Sequence, residues 1–262
     1  MLESYVRQAE YPTYYQTLEG LRTKVAARIP AIPHAHVLDI ATGYAYFAVE
    51  LAKRAESIRI TGIDISDDSI HKARATVVEH GLRARINIMR MDATCMHFAD
   101  GVFDMAVNFA GLEDIHMTRG REGVANVFCE AHRVLKPGAF FCYVVMPIDE
   151  METDAQKLEV ALFSYICNAT WLTMSAYRAL ACQTGFDIIE CEQFTTGKKL
   201  TAEQTQEEIH FACDHVPRIY GIATPRFDEV WTKFGEAIEE HGCGHLSKTV
   251  LFITKKTETE EI

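Results

Sequence analysis

The stretch His36-Val37-Leu38-Asp39-Ile40-Ala41-Thr42-Gly43-Tyr44-Ala45-Tyr46-Phe47 decides the fold of this chain. A short apolar run ends there in small residues, and apolar residues then recur at helical spacing from Phe47 to Leu51. This order predicts a buried strand, a tight turn and a helix whose basic last turn suits a helix C-terminus. Small residues in the turn let a ligand approach the backbone, and free N–H groups at the helix start attract a negative group. The G-x-G-x-x-G pattern of a dinucleotide site is absent, and Asp-x-x-x-Gly stands in its place.

The length, charge and cysteine pattern of the chain predict the number of domains, the classes of partner and the cellular compartment. A chain of 262 residues predicts one α/β domain with insertions, or at most two domains. Its formal charge of −11 disfavours a general binder of nucleic acid or of an anionic membrane. No apolar run approaches the roughly 20 residues of a membrane span, and the start of the sequence lacks the pattern of a signal peptide. Eight cysteines without a Cys-x-x-Cys pair indicate reduced thiols and therefore a cytoplasmic protein.

Two more predicted strands end in acidic residues. The second strand, Ile58 to Ser66, contains Asp64, which lies 25 residues after Asp39. A carboxylate at that place can accept the hydroxyl hydrogens of a ribose. The alternative is that Asp64 caps the next helix, although Ser66 is better placed for that role. The third strand, Arg85 to Met91, runs into Asp92 and Ala93.

These blocks resemble the class I S-adenosylmethionine-dependent methyltransferases. Their first motif is roughly Asp-x-Gly-x-Gly-x-Gly; Asp39 and Gly43 match it, and Ala41 and Ala45 replace the outer two glycines. The segment Asp100-Gly101-Val102-Phe103-Asp104 before a fourth strand, and Leu135-Lys136-Pro137-Gly138 before a fifth, also follow the family's order.

The resemblance implies an α/β fold with a seven-stranded, mostly parallel sheet and helices on both faces. Its last strand, near Lys248 to Thr254, would be antiparallel to the others. Beyond Met146 the chain departs from the family's minimal plan, and we interpret the two insertions there as a helical cap over the substrate pocket. We divide the chain into an N-terminal helical lid (1–30), a cofactor-binding core (31–146, 175–194), two cap insertions (147–174, 195–240), and a last strand with a tail (241–262). Within the lid, two helices separated at Tyr11-Pro12-Thr13 are expected.

The resemblance also implies S-adenosylmethionine as the cofactor. Asp64 would hold the ribose, and Asp92 with the Ala93 backbone would contact the adenine. The lid tyrosines would close over the cofactor, or else they pack in the core. The complete set expected to bind the cofactor is Tyr15, Asp39, Ala41, Thr42, Gly43, Asp64, Ile65, Asp92, Ala93, Asn108 and Phe109.

The loop after the fourth strand is where cofactor and acceptor should meet, since ligands bind at the carboxyl ends of parallel strands. Glu113, Asp114 and His116 are the candidates for a base or for orienting the substrate. Alternatively, they belong to a solvated loop that caps a helix beginning near Arg121. A base is needed only if the acceptor must first lose a proton.

Two segments contain several possible metal ligands, His210-Phe211-Ala212-Cys213-Asp214-His215 and His241-Gly242-Cys243-Gly244-His245. The first has ordinary helical spacing and the glycines of the second indicate a turn, so we predict no metal.

The predicted function is methyl transfer to the O, N, C or S of a small molecule. Asn108-Phe109-Ala110-Gly111 stands where nucleic-acid methyltransferases carry Asn/Asp-Pro-Pro-Tyr, and the acidic charge also argues against nucleic acid. The alternatives are a transfer from modified S-adenosylmethionine, a binding protein without turnover, and a protein-modifying methyltransferase. No membrane partner is expected, and Trp171 and Trp231 in the cap allow a homodimer.

Overall fold

A seven-stranded sheet forms the centre of the molecule in the computed structural model, which describes residues 3–168 and 171–257. Strands are numbered in chain order: β1 (Ser4–Tyr5), β2 (His36–Ile40), β3 (Arg59–Asp64), β4 (Ile86–Arg90), β5 (Phe103–Phe109), β6 (Leu135–Val145), β7 (Phe186–Thr195), β8 (Lys198–Lys199) and β9 (Lys248–Lys256). The central sheet has the order β4-β3-β2-β5-β6-β9-β7. Strand β9 lies antiparallel between β6 and β7, and the pairs from β4 to β6 are parallel. The predicted fold class is confirmed.

Helices cover both faces of this sheet. They are α1 (Tyr11–Thr17), α2 (Leu21–Arg28), α3 (Tyr46–Arg54), α4 (Asp67–Glu79), α5 (Leu112–Val134), α6 (Asp154–Cys167), α7 (Met174–Gln183), α8 (Ala202–Tyr220) and α9 (Phe227–His241). Apolar side chains of α2, α3 and α4 form the core on one face. Those of α5 and α7 form the core on the other face. The sheet is therefore buried on both sides, as expected of parallel strands.

A separate apolar cluster joins α6, α8 and α9, in the ranges assigned to the cap from the sequence. Its buried members include Leu162 and Ile166 of α6, Ile209 of α8 and Ile238 of α9. The N-terminal segment is tied to these elements, because β1 pairs in parallel with β8 and the Tyr11 hydroxyl donates a hydrogen bond to Glu208 of α8. The N-terminal segment is therefore attached to both β8 and α8.

Two helix boundaries differ from the sequence prediction. The break between the first two helices is at residues 18–20, where the backbone is left-handed, because Pro12 occupies the first turn of α1 and is tolerated there. The predicted loop before Arg121 is wrong, since α5 already begins at Leu112. Gly120, at φ +65°, interrupts that helix, and this interruption explains why the periodicity indicated a helix only after it.

Residues 3–168 and 171–257 include no helix that is long and apolar enough to cross a membrane. All eight cysteines are free thiols.

Candidate active site

A cavity of about 420 Å³ opens at the carboxyl ends of β2, β3 and β5. Its floor is formed by the residues that follow these strands, and its roof is formed by α8, by the end of α6 and by the loop before β9. The volume falls within the range of about 300–1,000 Å³ that is typical of small-molecule sites.

The turn after β2 is held by hydrogen bonds to its neighbours. Thr42 donates its N–H to the Ile63 carbonyl at 2.9 Å and its hydroxyl to the Asp39 carboxyl at 2.5 Å. Burial raises the pKa of the Asp39 carboxyl to about 7, although the bond from Thr42 opposes the shift. Asp39 is thus a structural anchor of the turn that also reaches the cavity.

The backbone of this turn is left-handed at three positions. Ala41, Gly43 and Ala45 have φ values of +52°, +54° and +63°. A left-handed conformation costs a residue with a Cβ about 1–2 kcal/mol, so glycine would be the less strained residue at positions 41 and 45. Ala45 is fully buried and lies away from the cavity lining, whereas Gly43 lines it. A Cβ on Gly43 would meet no atom of the described chain within 4 Å, so a ligand can approach its backbone closely.

Asp64 ends β3 with its carboxyl at the cavity. Its two oxygens accept the N–H groups of Gly43 and Ser66, each at 2.9 Å. Burial raises the pKa of this carboxyl, and the two backbone bonds work against the rise. Ser66 itself caps α4 by accepting the Ser69 N–H at 3.2 Å, which leaves Asp64 to face the cavity.

Asp92 lies on the same side of the cavity, after β4. Its carboxyl accepts the N–H and hydroxyl of Thr94 at 2.9 and 2.7 Å and pairs with Arg119 at 3.1 Å. Partial burial acts in the opposite direction, but these contacts hold the pKa of Asp92 below its ordinary value.

Asp114, in the first turn of α5, is the acidic residue between floor and roof. Its side chain is exposed and lines the cavity. The protein atoms packed around the carboxyl, with the charges of Glu113 and Asp64, raise the pKa of Asp114 to about 7. The charge of Asp114 is in turn the main reason that the pKa of Tyr220, on the roof, is raised.

The roof and helix α2 contribute further polar side chains. His215 and Tyr220 come from α8, and His245 comes from the loop before β9. Burial and the nearby charge of Arg22 lower the pKa of His245 to about 4, so this imidazole is neutral at physiological pH. The Arg22 guanidinium lies over the rings of Tyr46 and Phe109, at 5.3 and 5.4 Å.

Comparisons with known proteins agree with this geometry. A family model described as a methyltransferase domain matches residues 37–138. The (+)-O-methylkolavelool synthase of Herpetosiphon aurantiacus is 24% identical over 224 residues, which cover 82% of this chain and 76% of that protein. An O-methyltransferase of Aspergillus nomiae is 27% identical over 173 residues, 66% of this chain and 73% of that protein. The chain belongs to the class I S-adenosylmethionine-dependent methyltransferases.

Other curated relatives match over a smaller share of their length. This methyltransferase spans about half the length of several other curated relatives that it matches. The solved structure of the (4+2)-cyclase SpnF superposes with a TM-score of 0.67 at 19% identity, covering 99% of this chain and 89% of that one. At this identity the likeness shows the fold alone.

The residues of the methyltransferase fit its cofactor. Asp64 is an acid placed for two hydroxyl groups, and the bare backbone at Gly43 admits a ligand at close range. Most of the residues predicted to hold the cofactor line the cavity, namely Asp39, Ala41, Thr42, Gly43, Asp64, Ile65, Asp92, Ala93 and Phe109. The side chain of Tyr15 lies outside the described residues.

Asn108 takes a different place from the predicted one. It is fully buried, away from the described cavity lining, and its side-chain amide donates to the Ile40 carbonyl at 2.7 Å. Its side-chain oxygen accepts the Gly111 N–H at 3.2 Å. Asn108 therefore joins the ends of β2 and β5 and supports the cavity floor from beneath.

Of the three predicted catalytic candidates, the structure brings only Asp114 to the described cavity lining. Glu113 points the other way from α5 and accepts the Met146 N–H at 2.8 Å and the Tyr177 hydroxyl at 3.3 Å. Burial raises its pKa to about 7. The Nδ1 of His116 is buried without a hydrogen-bond partner in the described chain, and its ring also lies off the cavity lining. Helical geometry explains the separation, because consecutive residues of α5 face different directions.

The predicted set omitted several residues that line the cavity: Arg22, Tyr44, Tyr46, Arg119, His215, Tyr220 and His245. The only signal for His215 and His245 was their membership of the Cys/His groups. Within those groups His210 stacks on Phe227 at 3.8 Å and Phe211 on His215 at 4.0 Å. Across the described residues, no three His, Cys, Asp or Glu side chains come together as a metal site.

Proposed function

We propose that this enzyme transfers a methyl group from S-adenosylmethionine to a small molecule held in the cavity beneath the cap. The observation that carries the proposal is the position of the cavity, between the carboxyl groups that follow β3 and β4 and the roof formed by α8. The names of the two relatives given above, both O-methylating by name, support a small-molecule acceptor.

The residues of the floor would bind the cofactor. Asp64 would accept the ribose hydroxyl hydrogens, and Asp92 would lie on the adenine side. The Gly43 backbone would approach the ligand closely. The Arg22 guanidinium, on the lid side of the cavity, supplies positive charge for the carboxylate of the methionine moiety.

When bound, the cofactor supplies a methyl group already activated on a sulfonium, so that transfer is a direct in-line displacement. The protein then has to align the acceptor with the methyl carbon and exclude water. The cap helices provide the exclusion. Asp114 lies where floor and roof meet, and it is placed to orient the acceptor.

A cavity of about 420 Å³ beneath a roof of helices favours a small molecule over a protein segment, since a protein chain needs an open groove. The reduced cysteines favour a cytoplasmic location, and no nucleic-acid or membrane partner is proposed. A homodimer remains compatible with an acidic surface.

The test is incubation of the purified enzyme with methyl-labelled S-adenosylmethionine and a cell extract, followed by separation of small molecules from protein. We expect label in the small-molecule fraction. Label confined to protein would support the protein-modifying alternative, and absence of label with intact cofactor binding would support the binding protein without turnover.

A further inference from the structure

The roof of the cavity is apolar where it faces the acceptor side. We call this part the acceptor chamber and define it by Phe163, Phe211, Ala212, Val216, Ile219 and Leu246, all of which line the cavity. These side chains come from α6, α8 and the loop before β9. Apolar side chains stabilise a bound apolar surface, but they offer no hydrogen bond or opposite charge to offset the desolvation of an ionic group.

His215 is a polar side chain set into this apolar wall. Its ring stacks on Phe211 with centroids 4.0 Å apart and planes at 21°, which fixes its orientation. Its Nδ1 is buried without a hydrogen-bond partner in the described part of the chain. The imidazole is thus held by packing, and since His215 lines the cavity, the remainder of its ring can contact a ligand there.

The charges around the cavity disfavour an anionic acceptor. Among the described residues, its lining contains five carboxyl groups and two guanidinium groups, from Asp39, Asp64, Asp92, Asp114, Glu208, Arg22 and Arg119. Arg119 already pairs with Asp92. Asp39 and Asp114, whose pKa is raised to about 7, are partly protonated at neutral pH. Even with both of them neutral, three carboxylates remain against two guanidinium groups, which disfavours a phosphate or carboxylate in the cavity.

A cationic acceptor is disfavoured for a different reason. An ammonium group carries no lone pair to attack the methyl carbon, and it would be repelled by the positive sulfonium next to it. It would also lose its hydration in the acceptor chamber. An uncharged head group avoids all of these costs.

We propose that the acceptor is an uncharged, mostly apolar alcohol whose hydroxyl group contacts His215. The proposal rests on the methyl transfer proposed above. As the hydroxyl oxygen forms its bond to the methyl carbon, the hydroxyl proton passes to a ring nitrogen of His215. The S–CH₃ bond breaks and its electron pair stays on sulfur, which leaves a neutral thioether. His215 later returns the proton to solvent.

The test uses three probes with one tail and different head groups: 1-octanol, octyl phosphate and octylamine. A titration with S-adenosylhomocysteine comes first, because failure of that ligand to bind would contradict the proposed function itself. The complex is then titrated with each probe. Labelled methyl transfer to each probe is measured with S-adenosylmethionine by mass spectrometry.

We expect 1-octanol to bind at least about tenfold more tightly than octyl phosphate, and to be the probe that is methylated, to octyl methyl ether. In His215→Gln, which keeps a hydrogen-bonding group but cannot take a proton, turnover should fall about 100-fold or more. Affinity for 1-octanol and for S-adenosylhomocysteine should be retained in that variant. The matched control is His210→Gln, on the same helix and stacked on Phe227 away from the cavity lining, which should behave as wild type.

Three results would overturn the proposal. Preferred methylation of octylamine, or preferred binding of octyl phosphate, would refute the uncharged acceptor. Undiminished turnover in His215→Gln would refute the role of His215. If the enzyme bound S-adenosylhomocysteine but none of the three probes, the acceptor chamber would not be a site for apolar alcohols.

Discussion

The carboxyl group of Asp64 is predicted to provide much of the affinity for the cofactor. A hydrogen bond to a charged group contributes about 1.5–3 kcal/mol, and Asp64 is placed to accept two from a ribose. Removal of the side chain also leaves the N–H groups of Gly43 and Ser66 without the acceptor that they use in this structure. Since water replaces part of the loss, we expect Asp64→Ala to weaken binding at least about tenfold, or 1.4 kcal/mol.

The assay is calorimetric titration with S-adenosylhomocysteine. Asp64→Asn keeps one side-chain oxygen and should lose less affinity than Asp64→Ala. Asp67→Ala serves as the control, because that side chain is 74% exposed and pairs with Arg90 at the surface. A folded Asp64→Ala protein with an affinity within about twofold of wild type would refute the ribose assignment.

Three further predictions concern the turn, the floor and a buried acid. Gly43→Ala places a methyl group in the cavity and should weaken S-adenosylhomocysteine binding at least about tenfold. Ala45→Gly is the control, because Ala45 lies off the described cavity lining, and its affinity should stay within about twofold of wild type. Equal effects of the two changes in a titration would contradict the position of Gly43 at the cavity. Gly111→Ala would put a Cβ 2.7 Å from the Ala41 Cβ and from the Asn108 side-chain nitrogen. The free energy of unfolding, measured in urea, should therefore fall by about 1–3 kcal/mol. Unchanged stability would contradict the close packing of Gly111 against Ala41 and Asn108. For Glu113 the folded pKa of about 7 lies above the ordinary value of 4.5, so its contribution to stability is complete below pH 4.5 and is lost as the pH rises through 7. The stability of Glu113→Gln relative to wild type should therefore rise between those values by up to about 1.4 kcal/mol per pH unit, with unchanged cofactor binding. The exposed Glu122→Gln is the control, and a difference independent of pH would contradict the effect of burial on the Glu113 carboxyl.

The core of the fold could be predicted because local signals and spacing agreed. Acidic residues at the ends of β3 and β4 follow buried apolar runs, and parallel strands bring such ends to one edge of the sheet. The position of Asp64 and Asp92 at the cavity could therefore be predicted from the sequence pattern alone. Ser66 was predicted as the alternative cap for α4, and its bond to Ser69 confirms that role.

The acceptor side could not be predicted in the same way. Glu113, Asp114 and His116 lie within four residues, and only the exact start of α5 decides which of them faces the cavity. The start of α5 was hard to predict because Gly120 interrupts the helix and shifts its apparent periodicity. His215 belongs to α8 and His245 to the loop before β9, both far along the chain from β2, β3 and β5, and their approach to the cavity depends on tertiary packing. Local sequence patterns do not predict such packing.

We infer that the cavity at the ends of β2, β3 and β5 binds the cofactor despite alanine at positions 41 and 45. The most direct test is calorimetric titration of the wild-type enzyme with S-adenosylmethionine and then with S-adenosylhomocysteine. We expect micromolar binding of both ligands at one site. No binding of either ligand, in a protein shown to be folded by circular dichroism, would contradict it.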